Sequence, residues 1–295
     1  MTFQMRRPEV DELESVRDVL GRWQVDEGPL HLHPGDLGWF ALRGAPATAD
    51  AVRVWFEDER AVAISLLDGA QLLRFAMDPT RRQDDLLAQR IAADVADPDL
   101  GVLEAGAATI EARGASALGT TLAGLGWSPD EPWTPLHRDL SDPVDVSGLR
   151  VESIEADDTE DWVRVHWSAF RGTPIPDERQ RNFVDGWQAV AKTPFYASAR
   201  VLSAHDAGGQ AVAVAAVWTA GAGRPGLIEP MGVHQEHRGR GYGTVITKAA
   251  GAALREMGSS SAIVCAEASN MGAVSTYVAA GFAAHPNVRD YAREG

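Results

Sequence analysis

The sequence predicts a mixed α/β protein built from two tandem repeats. Three observations carry that expectation. Apolar runs of strand length alternate with stretches of helical period in both halves of the 295 residues. A polar segment without periodicity, Ser141 to Gly148, contains one proline and reads as a linker. The order of elements on its two sides is similar. The expected division is therefore residues 1–140, a linker over 141–148, and residues 149–295.

In the first half, Ala51–Phe56, Ala61–Leu67 and Gln71–Met77 form a run of three strands, with Asp68-Gly69 as a turn. In the second, Leu149–Ile154 predicts a strand, and Thr159–Phe170 and Arg179–Ala191 predict helices. Ala199–Ala204, Gln210–Thr219 and Leu227–Val233 follow as strands, with Asp206-Ala-Gly-Gly209 as a hairpin turn. Thr244–Met257 repeats Val245, Ile246, Ala249, Ala250, Ala253, Leu254 and Met257 on one helical face and stops at Gly258. Ala262–Ala266 is a strand, Asn270–Ala280 a helix capped by Gly281, and a last strand lies near Val288–Ala292. Laying Met77 on Val233 puts Asp85 on Gly241 and Leu87 on Gly243. Laying Trp127 on Phe282 puts Gly126 on Gly281 and Leu122 on Tyr277. The two offsets differ by one residue, which points to an internal duplication.

Composition bounds the function. Hydrophobic residues make up 45% of the chain, enough for substantial cores, and no apolar run approaches a membrane span. Residues 1–20 lack the basic start and apolar core of a signal peptide, so a cytoplasmic protein is expected. A net charge of −15 repels nucleic acid and anionic membranes at long range. The single cysteine, Cys265, excludes an internal disulfide and a cysteine-cluster metal site, and its apolar neighbours predict a buried strand position. His31-x-His33 has no acidic or sulfur company, so no metal is expected.

The segment Val233-His234-Gln235-Glu236-His237-Arg238-Gly239-Arg240-Gly241-Tyr242-Gly243 is the most informative. An apolar strand ends, basic residues and alternate glycines follow, and an amphipathic helix begins. Exposed N–H groups and the positive end of a helix dipole there make a seat for phosphate or diphosphate. Glycine lets the anion reach the backbone, and Arg238 and Arg240 add charged donors. A P-loop is excluded because no Gly-Lys-Ser/Thr occurs. A dinucleotide fingerprint is disfavoured because Thr244 stands where its third glycine belongs, and no further βαβ units follow Glu267. Asn270 and Tyr277, seven residues apart, share a face of the following helix.

Arg238, Gly241 and Gly243 fill [Q/R]-x-x-G-x-[G/A], and Asn270, Ala273, Tyr277, Gly281 and Phe282 fill N-x-x-A-x-x-x-Y-x-x-x-G-F. Together they resemble the GCN5-related N-acetyltransferase (GNAT) superfamily, in a tandem-repeat form whose N-terminal repeat is degenerate. The resemblance is close over 149–295 and holds only in outline before that. It implies two domains, each a mixed, mostly antiparallel twisted sheet flanked by helices. It further implies acetyl-CoA as cosubstrate, with its diphosphate on Arg238, Gly239, Arg240, Gly241, Gly243 and Thr244. Its pantetheine arm would pair with the backbone of Met231 and Val233 and touch Asn270. Tyr277 would protonate the leaving thiolate.

Glu229 interrupts an apolar strand four residues before Val233, and a glutamate on this strand serves many GNATs as base. Facing inward, its pKa would be raised; facing outward, it is one more solvated glutamate. Pro230 beside it predicts disturbed pairing. The aromatic stretches Trp162–Phe170 and Phe183–Tyr196 are expected walls of an acceptor pocket. The expected activity is transfer of acetyl to a primary amine, with a small molecule as partner, by direct attack in a ternary complex. A non-catalytic acyl-CoA-binding or scaffold protein is the alternative. The chain is a monomer, as a pseudo-dimer of repeats, or a homodimer.

Overall fold

A computed structural model describes residues 2–295. The first half contains β1 (Phe3–Arg6), α1 (Leu13–Trp23), α2 (Pro34–Phe40), α3 (Ala45–Ala51), β2 (Val52–Glu57), β3 (Arg60–Leu67), β4 (Leu72–Met77), α4 (Asp85–Ala96), β5 (Ala108–Glu111), α5 (Ser116–Gly124) and β6 (Ser128–Asp139). Residues 141–148 form neither helix nor strand. The second half contains β7 (Arg150–Ile154), α6 (Glu160–Arg171), α7 (Asp177–Val190), β8 (Ala199–His205), β9 (Ala211–Thr219), β10 (Gly226–Val233), α8 (Tyr242–Glu256), β11 (Ser261–Glu267), α9 (Met271–Ala279), β12 (Ala283–Ala284) and β13 (Val288–Arg293). Among the described residues no helix is long and apolar enough to cross a membrane.

Each half repeats one motif. Three antiparallel strands are followed by a helix, and then by a strand that pairs parallel with the third: β2–β3–β4, α4, β5, and again β8–β9–β10, α8, β11. The pairings are mostly antiparallel, with parallel steps only where a helix crosses over, because a tight turn cannot join parallel neighbours.

All strands belong to one sheet in the order β1-β2-β3-β4-β5-β13-β6-β11-β10-β9-β8-β7, with β12 on β6. The middle of this sheet is a strand exchange. The last strand of the first half, β6, pairs with β11 of the second from Asp139↔Ser261 to Trp133↔Glu267. The last strand of the chain, β13, pairs with β5 of the first half and with β6. The repeats are therefore two lobes of one continuous sheet. Alternation along a sequence locates a strand but carries no information about its partner. Pro129, Pro132 and Pro135 also conceal β6, since each removes a ladder donor.

One apolar core serves both repeats. Leu20, Trp23, Leu37, Val54 and Ile64 of the first half cluster with Trp162, Trp187, Val214 and Trp218 of the second. A close approach cements the contact: a Cβ on Gly38 of α2 would stand 2.3 Å from the Trp218 ring. The imidazole of His33, neutral because burial pushes its pKa down to about 3, caps α2 by accepting from Gly35 N–H at 2.9 Å. Its other nitrogen lies 3.2 Å from the Pro225 carbonyl of the second half.

At the seam Arg113 of the first half donates to both oxygens of Asp290 on β13, at 2.9 and 2.7 Å. The two side chains are only 5% and 2% exposed. Removing the carboxylate would leave the buried guanidinium only the more distant Glu111, at 3.7 Å, so Asp290→Ala should lower unfolding stability by about 3 kcal/mol. A urea denaturation midpoint equal to wild type would contradict this.

Candidate functional site

The second repeat opens where its two parallel strands part. β10 and β11 pair only at Gly226↔Ala262 and Leu227↔Ile263, then diverge. On its other edge β10 slips register against β9 between Ile228 and Met231, where Pro230 has no N–H to give. Trp218 Nε1 donates to the Glu229 carbonyl at 2.7 Å and holds this bulge. His234 N–H donates to Val212 on β9 at 3.0 Å. Successive strand residues present their backbone groups to opposite edges, so the N–H groups of Met231 and Val233 point into the gap between β10 and β11.

Beyond that gap, Gly239 and Gly241 hold φ of 75° and 79°, and an added Cβ at either would meet only open space. Helix α8 starts at Tyr242 without any side-chain cap. The N–H groups of its first turn thus face outward unclaimed, beside exposed backbone at Gly239, Arg240 and Gly241. Gly243 serves packing: its Cβ would come 2.9 Å from Thr276 Cγ2 and 3.4 Å from Val233 Cγ2. Thr244 lies in the same first turn. Arg238 donates from Nη2 to the Ala169 carbonyl at 2.6 Å, tying the loop to α6, and Arg240 donates to the Glu236 carbonyl at 3.4 Å.

The first repeat closes every corresponding feature. Asp84 caps α4, its Oδ1 accepting from Leu86 and Leu87 N–H at 3.1 and 3.0 Å, and Arg81 clamps that carboxylate at 3.0 Å. Matched cap to cap, Asp84 rather than Asp85 stands at the place of Gly241, because the loop before α4 is one residue shorter. Past Arg74, where β4 loses β5 as neighbour, the Phe75 carbonyl accepts from Leu32 N–H at 3.1 Å. Pro29 fills the space beside Gly114, where a Cβ would lie 2.2 Å from its ring. Segment 28–32 thereby plugs the slot. Trp127 N–H to Leu122 and Phe282 N–H to Tyr277 are equivalent bonds, both 3.1 Å, following Gly126 and Gly281 at φ of 90° and 88°. Leu122 stands at the place of Tyr277.

A cavity of about 380 Å³ occupies the gap in the second repeat. Glu229, Met231, Cys265, Asn270 and Tyr277 line it, and so do Asp36, Arg74, Glu111 and Arg113 of the first repeat. Glu229 faces inward. Burial raises its carboxyl to about 7; the Arg74 guanidinium pulls it down, while Asp36, Asp68 and Glu111 push it up. Arg74 gathers Asp68 at 3.0 Å, Glu111 at 3.3 Å and Asp36 at 3.7 Å. Asp36 is likewise lifted by burial, to about 6, against the pull of Arg74. The Tyr277 phenol is buried and held above its ordinary pKa, first by burial and then by the nearby Glu229 carboxylate. Asn270 caps α9, its Oδ1 accepting from Ala273 N–H at 3.1 Å, which leaves its amide N–H groups for the cavity. The Cys265 thiol also lines the cavity, but burial pushes it up to about 11 and keeps it protonated at neutral pH.

Glu229 also lines a second cavity, of about 490 Å³, with Trp39, His166, Trp167, Phe170, Arg171 and Phe183. Of the aromatic stretches singled out in the sequence, Trp167, Phe170 and Phe183 are walls, whereas Trp162, Trp187 and Phe195 are fully buried core. His234 and His237 stay in the loop. Sequence reasoning missed Trp39, Asp36, Arg74, Glu111 and Arg113. The signal was present for Arg74, a lone charge in the apolar strand Leu72–Met77 just as Glu229 is in Leu227–Val233. Nothing in the linear order reveals that the strand exchange brings the two together.

Residues 159–282 match the family model described as acetyltransferase (GNAT) family. No curated protein matches the sequence. Among solved structures, the chain is similar to a tandem GNAT protein from the clavulanic acid biosynthesis pathway. Identity is 18% and the TM-score 0.65, over 99% of this chain and 98% of that one. It is also similar to a GNAT-family acetyltransferase from Colwellia psychrerythraea, at 12% identity and a TM-score of 0.60 over the whole of both chains. A GCN5-related N-acetyltransferase from Sphaerobacter thermophilus matches at 18% identity and a TM-score of 0.57, over 99% and 95%. The match to the acetyltransferase (GNAT) family thus falls within the second repeat, and the chain as a whole has the tandem GNAT fold.

The contrast between the helix starts is testable. Gly241→Asp gives α8 a carboxylate where α4 has one. It should weaken coenzyme A binding at least tenfold in calorimetry while leaving the fold intact by circular dichroism. Unchanged affinity would remove the α8 terminus from ligand binding.

Proposed function

We propose that this chain, whose second repeat matches the acetyltransferase (GNAT) family, is an N-acetyltransferase. It moves the acetyl group of acetyl-CoA to a primary amine of a small molecule by direct attack in a ternary complex. One observation carries the reading: an uncapped helix start follows the strand whose parting from β11 leaves Glu229 and Tyr277 lining a single cavity.

The N–H groups of Gly241, Gly243 and Thr244 suit a diphosphate, with Arg238 and Arg240 supplying positive charge at the rim. Met231 and Val233 offer strand-like pairing to the amides of the pantetheine arm, and Asn270 adds a side-chain donor. The cosubstrate supplies an acyl thioester. Glu229 takes the proton of the entering ammonium, which frees the nitrogen pair to attack the acetyl carbon. As the C–N bond forms and the C–S bond breaks, Tyr277 gives its phenolic proton to the departing sulfur, and the second proton shed by the nitrogen passes through solvent to restore the phenol. A backbone N–H facing the gap polarises the acetyl carbonyl. A carboxyl near 7 suits this work, since it is charged often enough to act yet basic enough to accept a proton. The first repeat binds no cosubstrate in this reading. Its Arg74 cluster sets the charge around Glu229.

Thiol release from acetyl-CoA across a panel of amines tests the activity; binding without release on any amine would favour a scaffold instead. Glu229→Gln should lower turnover by about 10²–10⁴-fold. Tyr277→Phe should lower turnover while sparing acetyl-CoA affinity, and unchanged turnover would remove Tyr277 from the reaction. Because Glu229 acts only when ionised, kcat/KM should rise with pH through about 7. Asp36→Asn removes a negative neighbour, lowers the pKa of Glu229 and should move that limb to lower pH. A shift to higher pH, or none, would contradict the electrostatic assignment.

A further inference from the structure

The second cavity has a chemistry of its own. Rings form most of its wall. Trp39, reaching across from the first repeat, lies 5.9 Å from Phe183 and 5.4 Å from His166, centroid to centroid. His166 meets Phe183 edge-on at 5.0 Å and Phe170 at 4.7 Å. Its imidazole stacks on Trp162, and burial holds its pKa down at about 3, so it contributes a neutral ring rather than a charge. Phe170 is 56% exposed and lines both cavities, leaving an uncovered ring at the point where they meet.

Charge in this cavity is sparse and ordered. Glu229, whose carboxylate also feels Arg74, Asp36 and Glu111 of the first cavity, is its one acidic lining residue. Arg171 supplies its one permanent cation, lying 5.9 Å from the Trp167 ring centroid. A ligand with one ammonium group would set it against Glu229 and over the negative faces of the rings. A second ammonium would meet the Arg171 guanidinium. Hydroxyl-rich frames fare no better, because rings leave hydroxyl groups without partners and desolvation is then uncompensated. A flat apolar frame gains both buried area and edge-to-face ring contacts. The volume, about 490 Å³, accommodates one or two fused rings with a short side arm.

We infer that the acceptor is a monocationic amine on an aromatic or similarly flat apolar frame, seated among Trp39, Trp167, Phe170 and Phe183 with its nitrogen toward Glu229. This rests on the transferase reading for its nitrogen's fate, but the seating is a matter of binding alone. The first repeat then determines specificity through Trp39, although it carries no open anion seat. Polyamines and amino sugars are poor acceptors.

Calorimetry on the full chain saturated with coenzyme A provides the test, using tryptamine and phenethylamine against spermidine and glucosamine. The arylalkylamines should bind at least tenfold more tightly. Phe170→Ala and Phe183→Leu should each weaken them about fivefold or more, and Phe183→Leu, at a residue that lines the aromatic cavity alone, should leave coenzyme A affinity unchanged. Spermidine or glucosamine binding as tightly as tryptamine would overturn the inference, as would arylalkylamine affinity unaltered in both variants or absent from the wild type. Thiol release separates the two readings. Turnover of only non-aromatic amines would sink this inference and leave the transferase standing. Tight arylalkylamine binding without thiol release from acetyl-CoA would sustain the pocket and count against the transferase.

Discussion

The N–H groups in the first turn of an α-helix have no partner within it, and the two repeats satisfy them in opposite ways. In α4 the Asp84 carboxylate accepts from Leu86 and Leu87, so the helix carries its own anion. In α8 glycine stands at the cap, and among the described residues no side chain accepts from the first turn. An exposed, unclaimed helix start is a ready seat for an outside anion. The rest of the second repeat is consistent with that opening: parted strands, donors aimed into the gap, and a helix cap at Asn270 that leaves amide hydrogens free. The first repeat is consistent with closure, down to the segment 28–32 plugging its slot and a leucine at the place of Tyr277.

Closure of one lobe does not make it idle. Strand exchange at the middle of the sheet fixes the first repeat rigidly against the second, so its side chains are as well positioned around Glu229 as the second repeat's own. Arg74 is the clearest case. It is surrounded by Asp36, Asp68 and Glu111, and these carboxylates compete with it in setting the charge of Glu229. Burial and the three carboxylates together outweigh the guanidinium and bring Glu229 to about 7. Trp39 extends the same logic to the aromatic cavity. A tandem chain with one open lobe thus places a ligand slot in one repeat and much of its electrostatic environment in the other.

Local features were legible in the sequence. The glycines at 239, 241 and 243, the helical face of α8, the Asn270 cap and the Gly281 stop each follow from a rule that acts within a few residues. The duplication was legible too, because Leu122, Gly126 and Trp127 repeat the spacing of Tyr277, Gly281 and Phe282. Pairing was not. Nothing within Val288–Arg293 states that it lies beside β5, more than 170 residues earlier in the chain, and the prolines of β6 argue locally against a central strand. The missed members of the site, Asp36, Arg74, Glu111, Arg113 and Trp39, are all first-repeat residues that reach it only through that pairing or the shared core. The one-residue difference between Asp84 and Asp85 has the same origin, since cap position depends on loop length rather than on motif spacing.

The central claim is that the open start of α8, and not the capped start of α4, holds the diphosphate of a thioester carrier. Amide hydrogen exchange resolved by residue, with and without coenzyme A, reads both helix starts in one experiment. Protection gained at Gly239 to Thr244, with Asp85 to Leu87 unchanged, is the result the account predicts. Protection gained at Asp85 to Leu87, or at neither helix, would contradict it.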